Sequence, residues 1–101
     1  MIVTIMKESD VSIFLVEGKL DSSTSPKLQE KLMLALNEAK KIRMDFKDVE
    51  YISSAGLRVL LLGEKTARAT GKSMTIYNVP DRVMSIFTMT GFADMLNIET
   101  K

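Results

Sequence analysis

The stretch Ile42-Arg43-Met44-Asp45-Phe46-Lys47-Asp48-Val49-Glu50-Tyr51-Ile52-Ser53-Ser54-Ala55-Gly56-Leu57-Arg58-Val59-Leu60-Leu61 changes its hydrophobic period within one short passage. Ile42, Met44 and Phe46 alternate with Arg43 and Asp45, the two-residue repeat of a strand. From Ser54 or Ala55 onward, Leu57, Leu60 and Leu61 return at helical spacing. Gly71 stands where a left-handed residue closes such a helix, and Met74 to Tyr77 supplies the next strand. A strand, a helix and a second strand in this order predict parallel pairing through a crossover.

Working outward, Ile2 to Met6 reads as a first strand and Val11 to Val16 as a second, where Val11, Ile13 and Leu15 alternate with Ser12 and Phe14. The Lys7–Asp10 turn between them is short enough for an antiparallel hairpin. Gly18-Lys19-Leu20-Asp21-Ser22-Ser23-Thr24-Ser25-Pro26 reads as a loop rich in capping residues, with Ser25 as N-cap and Pro26 as first helical residue. Leu28, Leu32, Ala35, Leu36 and Ala39 then form one apolar helix face, and Lys40-Lys41 suits the helix's negative end. Pro80 opens a third helix with Val83, Ile86 and Phe87 inward, stopping near Thr90-Gly91; Met95 to Ile98 adds a short edge strand. The expected fold is α/β: one domain over residues 1–101, a mixed sheet of four to five strands, and about three to four helices packed mainly on one face.

The composition sets limits on function. With 101 residues, 46% of them apolar, the chain suits one core that buries roughly 65% of the extended-chain surface. A net charge of +1 supplies no field for nucleic acid or a membrane surface. There is no cysteine, which excludes disulfides and thiol chemistry, and no histidine, which removes the Ser-His-Asp triad and the commonest metal ligand. The longest apolar run, Leu32 to Leu36, is too short to span a bilayer, so a cytoplasmic protein without membrane insertion is expected.

The strand-to-helix junction carries the chemical signal. Ser53 and Ser54 bring two hydroxyls to the start of a helix, and Ala55 and Gly56 leave them unshielded. The free N–H groups and positive dipole end of a helix favour an anion there. A phosphate on Ser54 would add about −1.5 to −2 charges, and Arg58 follows about one turn later. Taken alone, the same serines fit a plain helix cap better than a regulated site. No spacing supports a serine nucleophile: Lys65, a candidate base, lies a few turns along the helix. Asp45 and Asp48 fit loop support better than a magnesium site. Met33, Met44 and Met74 read as core or core edge; Met84, Met89 and Met95 suit either an adaptable binding surface or, more simply, gap-filling.

Three segments together resemble the STAS-domain anti-sigma factor antagonists: Asp48-Val49-Glu50-Tyr51-Ile52-Ser53-Ser54-Ala55-Gly56-Leu57-Arg58-Val59-Leu60-Leu61, Gly18-Lys19-Leu20-Asp21 before the first helix, and Met89-Thr90-Gly91-Phe92 after the third. The resemblance covers nearly the whole chain and implies a STAS-like fold. It places the phosphoacceptor at Ser54, two residues before Gly56, with Ser53 as second choice; Ser53 stands where the family often has aspartate. It implies a partner surface formed by Asp21, Ser22, Ser23, Thr24, Ser53, Ala55, Gly56, Arg58 and Met89. In the implied cycle the unphosphorylated protein binds an anti-sigma factor that is also a serine kinase, which frees a sigma factor. Phosphorylation breaks that complex, and a serine phosphatase resets it. ATP and magnesium belong to the kinase, so the resemblance implies neither a cofactor, a metal nor an enzymatic activity for this chain. The alternative is a non-switching scaffold in a stress-sensing complex, or an accessory subunit of a membrane transporter.

Overall fold

The computed structural model describes residues 1–100. It contains strands β1 (Ile2–Glu8), β2 (Val11–Leu20), β3 (Lys41–Ile52) and β4 (Ser73–Tyr77), and helices α1 (Ser25–Glu38), α2 (Ser54–Ala69) and α3 (Asp81–Thr90), followed by a 3-10 turn at Phe92–Asp94. The sheet runs in the order β1-β2-β3-β4. β1 pairs antiparallel with β2, while β2–β3 and β3–β4 are parallel. This is the expected mixed sheet of an α/β domain. No described helix is long and apolar enough to cross a membrane.

The helices bury one face of the sheet. Phe14, Ile42, Met44, Phe46 and Ile76 meet Leu28, Leu32, Leu60, Val83 and Phe87 in a single core, and each of these residues is essentially inaccessible to solvent. The expected apolar stripe of α1 is fully buried. On α2 the stripe is turned slightly: Val59 is buried and Leu61 is only half-buried, because Gly63 lies against Leu32 and Met74 and brings α2 close at that point. A Cβ at Gly63 would stand 2.6 Å from Leu32 Cδ2 and 2.8 Å from Met74 Sδ. On α3, Val83 and Phe87 are buried while Ile86 is half-covered at the edge.

Several boundaries differ from the sequence reading. β2 continues through Gly18-Lys19-Leu20, which were expected in a loop, and β3 continues past Phe46 to Ile52. The extra length is paired, Gly18 with Val49 and Leu20 with Ile52, after register shifts at Leu15/Glu17 and Gly18/Lys19. Gly18 has φ +94, so the glycine that reads as a turn supplies instead the left-handed residue of a strand irregularity. α1 starts one residue early: Thr24 is its N-cap, and Ser25 is a buried first-turn residue whose hydroxyl donates to Asp21 O. The cation serving the end of α1 is not the Lys40-Lys41 pair but Lys72, whose Nζ donates to Leu36 O. Gly71 closes α2 with φ +70, and Lys72 N–H reaches back to Ala67 O at 2.8 Å, the Schellman pattern. In place of a strand over Met95–Ile98 there is one parallel bridge, Ile98 to Ile76, because the 3-10 turn occupies the approach.

Candidate functional site

The β2 and β3 extensions carry the site. Ser53 ends β3 as the N-cap of α2, in extended conformation; its N–H donates to Leu20 O at 2.9 Å and its carbonyl accepts Leu57 N–H at 3.0 Å. Gly56 makes this junction possible. A Cβ there would stand 2.8 Å from both Ile52 Cγ1 and Leu20 Cγ, and 3.0 Å from Leu20 O. The two serines therefore differ. Ser54 is the exposed first residue of α2, and its hydroxyl makes no hydrogen bond among the described residues. Ser53 makes no side-chain cap bond, and its Oγ is buried without a partner.

The Asp21 loop lies beside this junction, brought there by Leu20. Asp21 Oδ1 accepts Ser23 Oγ–H at 2.8 Å, Ser23 N–H at 3.0 Å and Thr24 N–H at 3.2 Å. These bonds, led by the Ser23 hydroxyl, hold the Asp21 carboxyl below its ordinary value, against a smaller opposing effect of desolvation. Thr24 Oγ1 accepts Asp21 N–H at 2.9 Å and donates to Lys19 O at 3.0 Å. Asp21 thus shapes an Asx turn at the entry to α1.

Between α1 and α2 runs an open groove of about 550 Å³, with Ser22, Pro26 and Met33 on one side and Ala55, Val59 and Leu62 on the other. Arg58 and Glu30 add charge to its lining. The structure thus gathers Ser22, Ala55 and Arg58 on one surface next to Ser54. It places Met89 elsewhere: 81% exposed on α3, lining a separate hollow with Asp81, Met84, Ser85 and Thr88. Asp45 accepts Lys47 N–H at 2.9 Å, and no group of three or more described acidic side chains could hold a metal ion. Lys65 is roughly 16 Å from Ser54 along the helix at 1.5 Å per residue, too far to act as its base.

The apolar wall of the groove was missed by sequence reasoning. Its signal was Leu60-Leu61-Leu62: three consecutive leucines cannot all face one core, and Leu62 is 39% exposed. Tyr51, 47% exposed three residues before Ser54, is a second such residue.

Comparison with known proteins agrees with this fold. Residues 4–97 match the family model described as "Mlab, STAS domain". The chain is 31% identical over 94 residues to the anti-sigma-B factor antagonist of Bacillus subtilis, covering 93% of this chain and 85% of that one. Its fold is similar to a crystal structure of an anti-sigma factor antagonist from Mycobacterium paratuberculosis, with a TM-score of 0.86 and 17% identity, covering 99% of this chain and 86% of that one. It is also similar to the Bacillus cell fate determinant SpoIIAA in its phosphorylated form, with a TM-score of 0.76 and 16% identity, covering 99% and 93% of the two chains.

Proposed function

Because the chain belongs to the STAS domain family, we propose that it is an anti-sigma factor antagonist switched by phosphorylation at Ser54. One observation carries the choice of residue: Ser54 alone of the two serines presents an exposed, uncommitted hydroxyl at the open end of α2. Modifying it breaks no hydrogen bond, and the charge falls where helix N–H groups and dipole accept it. The fold is therefore left in place while its docking surface changes.

In this reading the unmodified protein presents the α1–α2 groove and the Asp21 loop to an anti-sigma factor. Met33, Val59 and Leu62 supply apolar contact, and Ser22, Glu30 and Arg58 supply polar contact. A kinase activity in that partner, with its own ATP and magnesium, transfers phosphate to Ser54. The added charge then meets surface that was desolvated in the complex, and the complex separates. A phosphatase restores the starting state. Two likenesses support this reading: the Bacillus subtilis relative is an anti-sigma-B factor antagonist, and SpoIIAA, which shares the fold, has a phosphorylated form.

Phosphopeptide mapping of the protein from its native cells, in growth and under stress, tests the proposal. Phosphate on Ser54 whose occupancy changes between the conditions is expected. Ser54 unmodified in every condition would refute the switch, and phosphate on Ser53 alone would refute the assignment.

A further inference from the structure

The two edges of the sheet are treated differently. Along β4, the chain's own tail covers the outer backbone: Ile76 N–H donates to Asn97 O at 2.9 Å, and Glu99 N–H donates to Ile76 O at 2.8 Å. Along β1 nothing comparable occurs among the described residues. β1 makes seven consecutive pairs with β2 without a register shift, and it contains no proline. An edge of this kind is a template for another strand, and proteins ordinarily blunt it with charges, bulges or proline. Here the charges come only at the end, at Lys7 and Glu8, and Lys7 Nζ is directed to Glu38 at 2.9 Å. Ile2 and Met6 are left 61% and 43% exposed on the sheet face that the helices do not cover.

We propose that β1 pairs antiparallel with β1 of a second copy about a twofold axis at Thr4, forming a continuous eight-stranded sheet. The register follows from the sequence of the strand. To keep both copies' helices on one face, the paired residue numbers must have an even sum, because a one-residue slip exchanges the faces. An axis at Thr4 sets Ile2 opposite Met6 of the second copy, Val3 opposite Ile5, and Thr4 opposite itself. The two most exposed apolar side chains of the strand then cover each other on the open face, and Val3 meets Ile5 on the side packed against the core. An axis at Ile5 would instead set Lys7 against Val3 and Glu8 against Ile2. An axis at Val3 would shorten the apolar pairing. A twofold arrangement is closed, so it makes a dimer and not a fibre.

The dimer leaves Ser54 free. β2 passes the Ile2 end of β1, where Ile2 pairs with Glu17, and continues to Leu20 beside Ser53. The axis therefore sends the two Ser54 sites to opposite ends of the long sheet, both open to a partner. The pairing is independent of the proposed switch, and its failure would leave that reading untouched.

Sedimentation velocity over about a hundredfold range of protein concentration tests it, since self-association follows mass action. Three proteins are compared: the natural chain, Ile2→Lys/Met6→Lys and Ile2→Lys/Met6→Glu, each checked for an unchanged circular dichroism spectrum. The natural chain should move from its 11.3 kDa monomer mass to twice that value as concentration rises. The double-lysine variant should stay monomeric, and the lysine–glutamate variant should dimerise, because the Thr4 register sets each introduced lysine against an introduced glutamate. Thr4→Cys in this cysteine-free chain should form a disulfide-linked dimer on mild oxidation. A natural chain monomeric throughout, a double-lysine variant that still dimerises, or a lysine–glutamate variant that does not would each overturn the proposal.

Discussion

Replacing Gly56 by alanine tests whether this glycine is what lets α2 start so close against β2 and β3 at Ser53-Ser54. The new methyl carbon would enter a space bounded at 2.8 Å by Ile52 Cγ1 and Leu20 Cγ and at 3.0 Å by Leu20 O. Ile52 is 1% exposed and Leu20 wholly buried, so neither side chain has free room to withdraw. The carbonyl is tied to Ser53 N–H and moves only if the junction moves. Overpacking of this kind costs about 1–3 kcal/mol. The better helix propensity of alanine offsets at most about 1 kcal/mol of it. A net loss of about 1–2 kcal/mol corresponds to a fall in Tm of about 5–15 °C for a domain of this size. Gly63→Ala is the comparison: its closest contacts, Leu32 Cδ2 and Met74 Sδ, lie at the far ends of flexible side chains, whereas Gly56 also faces the Leu20 branch carbon and backbone carbonyl, which give way only with the junction. Its loss should be smaller. Thermal melts followed by circular dichroism read both effects. A Gly56→Ala protein as stable as the natural one, or less affected than Gly63→Ala, would refute the reasoning.

Ser54→Asp should leave Tm within a few degrees, since an acid in the first turn of a helix contributes about 0.3–1 kcal/mol. The same change should weaken anti-sigma factor binding by at least about a hundredfold, read by calorimetry, as expected for an uncompensated charge of about 3–5 kcal/mol in an interface. Ser53→Ala should not show the usual loss of about 1 kcal/mol for a helix cap, because the hydroxyl makes no cap bond. Removing a buried, unpartnered hydroxyl should leave stability unchanged or raised in urea titrations. Asp21 has its carboxyl pKa lowered from 3.8 in the folded protein, so its stabilisation is complete above that value and is lost as pH falls through the lowered one. Asp21→Asn should remove this part of the acid dependence in melts recorded from neutral pH downward.

The first half of β3 was legible because Ile42, Met44 and Phe46 keep a strict alternation with their buried face inward. The second half was not. Asp48, Glu50 and Tyr51 are exposed and interrupt the period, and the pairing that holds them depends on β2, across an irregularity that no local pattern announces. Gly18 misled for the same reason, since a left-handed glycine reads alike in a turn and in a bulge. The cap of α1 lies at Thr24 and not Ser25, and neither hydroxyl makes a cap bond: Ser25 donates to Asp21 O and Thr24 to Lys19 O, contacts with the preceding loop that no local pattern announces. The position of Ser53 and Ser54 at the start of a helix was legible from the change of hydrophobic period, but the contrast between an exposed Ser54 and a buried Ser53 hydroxyl arises only from the tertiary junction. Met89 shows the opposite case: a residue close to the others in motif, yet set on a different surface.

The unequal strand lengths have a mechanical consequence. β4 accompanies β3 only as far as Asp45, whereas β2 stays paired with it to Ile52. The last stretch of β3 before Ser54 is thus part of a two-stranded projection with β2, anchored by Val49 and Ile52 in the core but with no strand on its β4 side. Such a projection opens without the rest of the sheet opening. Amide exchange should therefore fall into two tiers, slow at Ile42 to Met44 and faster from Gly18 to Leu20 and from Val49 to Ile52. Local opening near Ser54 is confined to that outer tier, and the body of the domain stays folded beneath it.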